Sequence, residues 1–202
     1  MRGLWWARLL NSVVALFNAG AAPAPAGVPA YESIAKVTVG SGGSSSVSFT
    51  SIAADWTHLQ LRILSRCTRA SASGNMMLRI NSDTGSNYAN HEIYGDGASA
   101  TASGASSVDR IDISRSPGTS ATANIFSGTV IDILDYANTN KYKTVRSIFG
   151  FDNNSATVTG YIGLRSGLWM NTNAITTLEF TSATSSSFTV NSVFALYGIK
   201  GA

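Results

Sequence analysis

The sequence predicts an all-β protein, an antiparallel β-sandwich of jelly-roll type preceded by an apolar N-terminal helix and a proline-rich strap. Three observations predict it. Apolar and polar residues alternate with period 2 along most of the chain after residue 30. Clusters of Gly, Ser, Asn and Asp punctuate these runs at sandwich-like spacing. No stretch of helical period separates one run from the next.

The elements follow in chain order. Residues 4–18 are almost wholly apolar, and Arg8, Asn11, Ser12 and Asn18 fall on one narrow helical stripe. Residues 1–19 therefore read as a short docking helix, with Trp5, Trp6, Leu9, Leu10, Val13, Leu16 and Phe17 as partner-docking side chains. At 1.5 Å per residue this run rises about 22 Å, too little for a bilayer core of about 30 Å, so no membrane span is expected. A secretory signal, residues 1–21, is the rival reading, but Asn11 and Ser12 interrupt its apolar centre. Pro23, Pro25 and Pro29, three of the four prolines, make residues 20–30 a semi-rigid linker.

Residues 31–202 form the sandwich. Leu59, Leu61 and Ile63 alternate with His58, Gln60 and Arg62, and Ile125, Thr129, Ile131 and Ile133 alternate with Asn124, Asp132 and other positions. Further strands are expected at Ile34–Val39, Val47–Ser51, Met76–Asn81, Val108–Ser114, Val145–Phe151, Val158–Leu164, Ile175–Thr181 and Phe188–Ile199. Asp135–Tyr142 reads as a structured loop with Asn and Asp at turn positions, and Gly95–Gly104 as a low-complexity loop exposed at one end.

Charge and composition narrow the function. The chain has 202 residues, 14 Lys+Arg and 11 Asp+Glu, so only 12% are charged, about half the usual share. Ser, Thr, Asn and Gly fill the gap at about 40%, which implies a neutral polar surface. The net charge of +3 comes without the basic run of a nucleic-acid arm. Cys67 is the single cysteine and His58 and His91 are the only histidines, which disfavours a disulfide scaffold and a zinc site. We expect no cofactor and no metal; Asp132, Asp135, Asn138 and Asn140 read as turn residues in preference to calcium ligands.

Candidate chemistry is sparse. No G-x-S-x-G elbow, phosphate loop or H-E-x-x-H helix occurs, and Glu32, Glu92 and Glu179 are the only glutamates. A non-enzyme is expected; a glycan hydrolase working through Asp83 or Asp96 is the minor alternative. Arg62, Arg66, Arg69 and Arg79 read as partners of Asp109, Asp112, Asp132 or Asp135, and Cys67 as an unpaired structural thiol. Trp169, Tyr88, Tyr94 and Tyr161, with Trp56, are the candidate ligand platform, since aromatic rings stack on sugar faces, but core and interface packing is the preferred reading of the same residues.

Six strings carry a resemblance: Tyr31–Gly43, Thr57–Arg62, Arg79–Tyr88, Val130–Arg146, Leu164–Trp169 and Phe194–Lys200. Together they resemble a family of small virion structural proteins of tailed bacteriophages, over nearly all of residues 31–200 and not over the N-terminal arm. The resemblance implies a non-enzymatic protein of the phage particle, made in the host cytoplasm. It would be a tail-fibre or tail-tip component or a capsid decoration protein, assembled as a homotrimer with other capsid or tail proteins. No nucleic-acid partner is implied, and host-surface glycan is a further partner it allows. A secreted carbohydrate-binding module is the alternative.

Overall fold

A computed structural model describes residues 30–201 apart from 156 and 184. The predicted docking helix and most of the linker, and with them Trp5, Trp6, Leu9, Leu10, Val13, Leu16 and Phe17, lie outside the described residues.

Twelve strands run in the order β1 (Tyr31–Thr38), β2 (Ser46–Phe49), β3 (His58–Ser65), β4 (Ser73–Ile80), β5 (Tyr88–Gly95), β6 (Ala100–Val108), β7 (Ile111–Pro117), β8 (Ser127–Ile133), β9 (Lys143–Phe151), β10 (Tyr161–Trp169), β11 (Leu178–Ser182) and β12 (Val193–Ile199). They form two antiparallel sheets packed face to face. The larger has the order β1-β12-β3-β8-β9-β10-β5-β6, the smaller β2-β11-β4-β7. The all-β sandwich expected from the period-2 pattern is what the described residues adopt.

Strand parity places the core. Leu59, Leu61 and Ile63 of β3 point inward beside Phe194 and Leu196 of β12 and Ile131 and Ile133 of β8, and all are buried. From the smaller sheet Phe49, Met76, Leu78, Ile80, Leu178 and Phe180 meet them. Phe194 is the hub of this core: its ring lies 4.9 Å from Phe188 and 5.7 Å from Phe180. At about 25 cal/mol per Å², burying each such ring contributes a few kcal/mol.

The two sheets differ in width: β9, β10 and β5 lie against edge strand β7 of the smaller sheet and, with β6, form an extension of the larger one. Edge strand β7 closes this region with polar stitches. The β4–β7 ladder slips between Met76 and Met77, a bulge that turns backbone groups toward the larger sheet. Ser147 donates to the Ile113 carbonyl at 2.5 Å, and the Ser114 and Thr129 hydroxyls pair at 2.6 Å. Close approach of β7 to β10 requires Gly167, where a Cβ would sit 2.5 Å from the Ile111 side chain.

Two expectations are corrected. Gly95–Gly104 is not a loop: Ala100–Val108 is strand β6, paired with the equally unpredicted β5. Its Ala, Ser and Gly carry no apolar alternation, and pairing with β5 supplies the order that side chains do not. At Gly104 a Cβ would lie 2.5 Å from the His91 ring, so the small residue is what lets the ring cover the strand. The strand expected at Val108–Ser114 is instead the end of β6 followed by β7. Asp135–Tyr142 is a loop, with Asp135 at φ 49° and the Asn140 amide donating to Asn138 Oδ1 at 2.8 Å.

Candidate functional site

The four candidate platform residues do not share one exposed face. Trp169 and Tyr88 are buried on the inner face of the larger sheet, with ring centroids 6.4 Å apart. Trp169 Nε1 donates to Asp83 Oδ2 at 2.8 Å, and the Tyr88 hydroxyl donates to the Ile80 and Asp83 carbonyls while accepting from the Ile80 amide. Burial pushes the Tyr88 hydroxyl up to about 12. Tyr94 and Tyr161 lie on the same inner side, 5.9 Å apart, and the Arg115 guanidinium covers them at 4.2 and 5.1 Å from their centroids. Trp169 and Tyr88 are thus enclosed by protein groups, while Tyr94 and Tyr161 are half-buried beneath Arg115; the sequence shows an aromatic residue but not which side of its strand points out.

The two aspartates of the hydrolase alternative hold turns. Asp83 accepts from Trp169, Asn87 and the Gly85 amide, which keeps its carboxyl below its ordinary value. Asp96 accepts from the Ser99 and Ala98 amides and is lowered for that reason. The arginine pairing is realised in part: Arg79 meets Asp109 at 3.2 Å, whereas Arg66 donates to the carbonyls of Gly118, Ala121, Thr122 and Ile125. Asp135 pairs with Lys141, Asp132 accepts from Gln60 at 2.9 Å, and Cys67 is buried with a free thiol. Among the described residues no group of three or more His, Cys, Asp and Glu is placed to hold a metal ion, and no helix is long and apolar enough to cross a membrane.

A charged cluster seals the extension from below. Arg165, whose side chain is 1% exposed, donates from Nε to Glu92 Oε2 at 2.8 Å, from Nη1 to the Ser114 carbonyl at 3.2 Å and from Nη2 to Asn75 Oδ1 at 3.2 Å. Arg115 approaches Glu92 Oε1 at 3.3 Å, and Asn75 donates to Asp112 Oδ2 at 2.6 Å. Burial raises the Glu92 carboxyl, but Arg165, Ser103 and Arg115 outweigh it and hold the group below its ordinary value. Asp112 is raised, because burial there exceeds the attraction of Arg165. Burial also lowers Arg165, against the pull of Glu92 and Asp112. The cluster caps the edge of β7, where unpaired backbone groups would otherwise face a gap.

No family model, curated protein or solved structure matches this chain.

Above the charged cluster, the outer face of the same strands is apolar. Cross-strand register aligns Ala102, Ile93, Leu164, Ile148 and Val130 in one row. The next row is Ala100, Gly95, Ile162, Gly150 and Gly128. Ile162 is 66% exposed, Leu164 55%, Ile93 53% and Ile148 51%, and no charged side chain stands in either row before Arg62 on β3. Polar residues begin one row away with His91, Ser166 and Arg146, which rim a shallow depression of about 730 Å³ whose floor includes Ile93, Ala102 and Leu164. Four large aliphatic side chains thus share one exposed patch, whereas apolar residues exposed singly are ordinary.

The far end of this outer face differs. Tyr31 and Tyr197 stack at 4.8 Å, Tyr31 donates to Gln60 Oε1 at 3.0 Å, and Arg62 lies 5.8 and 6.0 Å from the two rings. The alternation of Ile162 and Leu164 with Gly163 and Arg165 was visible in the sequence, but its sign was not: here the aliphatic residues point out and the arginine points in.

Proposed function

We propose that this chain is a non-enzymatic structural protein of a tailed-bacteriophage virion, an oligomeric surface appendage such as a tail-fibre, tail-tip or capsid decoration protein. The contiguous apolar outer face carried by Ile93, Ile148, Ile162 and Leu164 carries this reading. Such a face suits burial against a neighbouring subunit and gives no means of catalysis. Its rim of Arg146, His91 and Ser166 matches the polar border of protein interfaces.

The fold in this proposal is a jelly roll. If β5, β6, β9 and β10 are set aside, the remaining strands have the orders β1-β12-β3-β8 and β2-β11-β4-β7. An eight-stranded double sheet with two Greek keys has this arrangement, one used in viral capsid and lectin domains. The four remaining strands are then two hairpins added to one sheet, and these hairpins carry the apolar face. The fold is support by analogy only, because one architecture hosts many functions; the resemblance of residues 31–200 to phage virion proteins supplies the particle. Mass spectrometry of purified particles of the source phage tests the proposal. The chain should be present in stoichiometric amount, and its absence from intact particles would overturn the reading.

A further inference from the structure

We propose that, in the unassembled subunit, the apolar face of the extension is covered in cis by the segment Trp5–Phe17 of the same chain. This inference rests on the reading of that face as an assembly surface and assigns its regulation: the arm and the face mask each other until assembly separates them.

Chemistry and reach both argue for this occupant. The face consists of Ala102, Ile93, Leu164, Ile148, Val130, Ile162 and intervening glycines. The segment preceding the described structure has the matching character: Trp5, Trp6, Leu9, Leu10, Val13, Leu16 and Phe17 crowd into it, and positions 9–30 contain no charged residue. Two apolar surfaces in one polypeptide, with Arg8 the single charge in the segment, are each costly to leave in water and lower the free energy by burying each other.

The chain enters the structure at a known point. The Ala30 carbonyl accepts from the Lys200 amide at 3.0 Å, and Tyr31 opens β1 at the edge of the larger sheet opposite β6. From β1 to β9 and β10 is four and five strands in the sheet order, about 19–24 Å at the usual spacing. Tyr31 shares a cross-strand row with Ile199 and His58, whereas Ile148 shares one with Val130 and Arg62. These rows differ by the His58-to-Arg62 separation, about 13 Å along the strands. The path from Ala30 to the face is thus about 25 Å, while residues 20–30, extended at about 3.1 Å each, reach about 34 Å. The linker is long enough to lay the segment on the face and too short to leave much slack.

Site-specific photocross-linking of the full-length purified subunit tests this. A benzoylphenylalanine in place of Ile148, irradiated in dilute solution, should give a product of monomer mass whose cross-linked peptides come from residues 1–29. The same group in place of Ser48, exposed on the smaller sheet, should give none. Leu164→Lys, a change at an exposed side chain that leaves the fold intact, should abolish the Ile148 product. Absence of peptides from residues 1–29, or their appearance only in products of dimer or higher mass, would overturn covering in cis. The failures are separable: a chain present in particles but without the intramolecular product refutes the latch alone, and one with that product but absent from particles refutes the virion reading alone.

Discussion

The two halves of the larger sheet bury the same kind of backbone by opposite means. Where β12, β3 and β8 face the smaller sheet, the interior is closed by Phe180, Phe188, Phe194, Leu59, Leu61 and Ile131. Where β9, β10 and β5 lie against edge strand β7, the inner side adds Arg165, Glu92 and Arg115 to the buried rings of Tyr88, Phe149 and Trp169, and the aliphatic residues Ile93, Ile148, Ile162 and Leu164 face outward. The difference teaches that alternation alone does not say which side of a strand is the core. A second sheet rewards apolar side chains on the side it covers. Where that cover ends at edge strand β7, hydrogen-bonding side chains are needed to satisfy its backbone, and the aliphatic set is free to face outward.

Breaking the apolar half should have the largest effect. Phe194→Ala removes the ring between Phe180 and Phe188 and should destabilise the protein by about 3–5 kcal/mol. Equilibrium urea unfolding reads this as a lower midpoint; a change below about 1 kcal/mol would mean that the core collapses around the gap. The ionic half should respond differently to single and paired changes. Glu92→Gln leaves the Arg165 guanidinium buried without its carboxylate and should cost about 3 kcal/mol. Changing Glu92 and Arg165 together to leucine should cost less than Glu92→Gln alone, because the guanidinium is no longer buried without its carboxylate, while Arg115 keeps the Tyr94 ring and Asp112 the Asn75 amide. Equal losses in the single and double variants would show that the pair acts by packing and not by charge.

The smallest effect sharpens the boundary between the halves, where Trp169 and Tyr88 meet the Asp83 turn. Asp83 is lowered chiefly by the Trp169 and Asn87 hydrogen bonds. A carboxylate lowered in the folded state contributes stability above its ordinary value of 3.8, and that contribution is lost as pH falls through the folded value. Asp83→Asn should therefore cost about 1 kcal/mol at neutral pH. The gap between the variant and the original chain should close in the acid range below 3.8. Unfolding midpoints across that range check it, and a gap independent of pH would exclude the ionised carboxylate as its cause.

Much of the framework was legible in the chain. Leu59, Leu61 and Ile63, the Val145–Phe151 run and the Met76–Asn81 run each announced a strand, because β-branched and large aliphatic residues at period 2 leave few other ways to bury one side. The strands β5 and β6 were not legible. His91, Glu92, Ser103 and Gly104 become a ladder only when paired with one another, and a pairing across strands has no local signature. The candidate site was hidden for the same reason. Ile93, Ile148, Ile162 and Leu164 lie on three strands and become one patch only through register, while Tyr88 and Trp169, promising as a platform, are spent in the interior.

Local side-chain chemistry was sufficient to specify strands, turns and a neutral polar surface, because these depend on residues a few positions apart. Which face of each strand met water was settled by the unequal widths of the two sheets. That inequality arises from long-range pairing, and it left the extension with a charged underside and an apolar outer face.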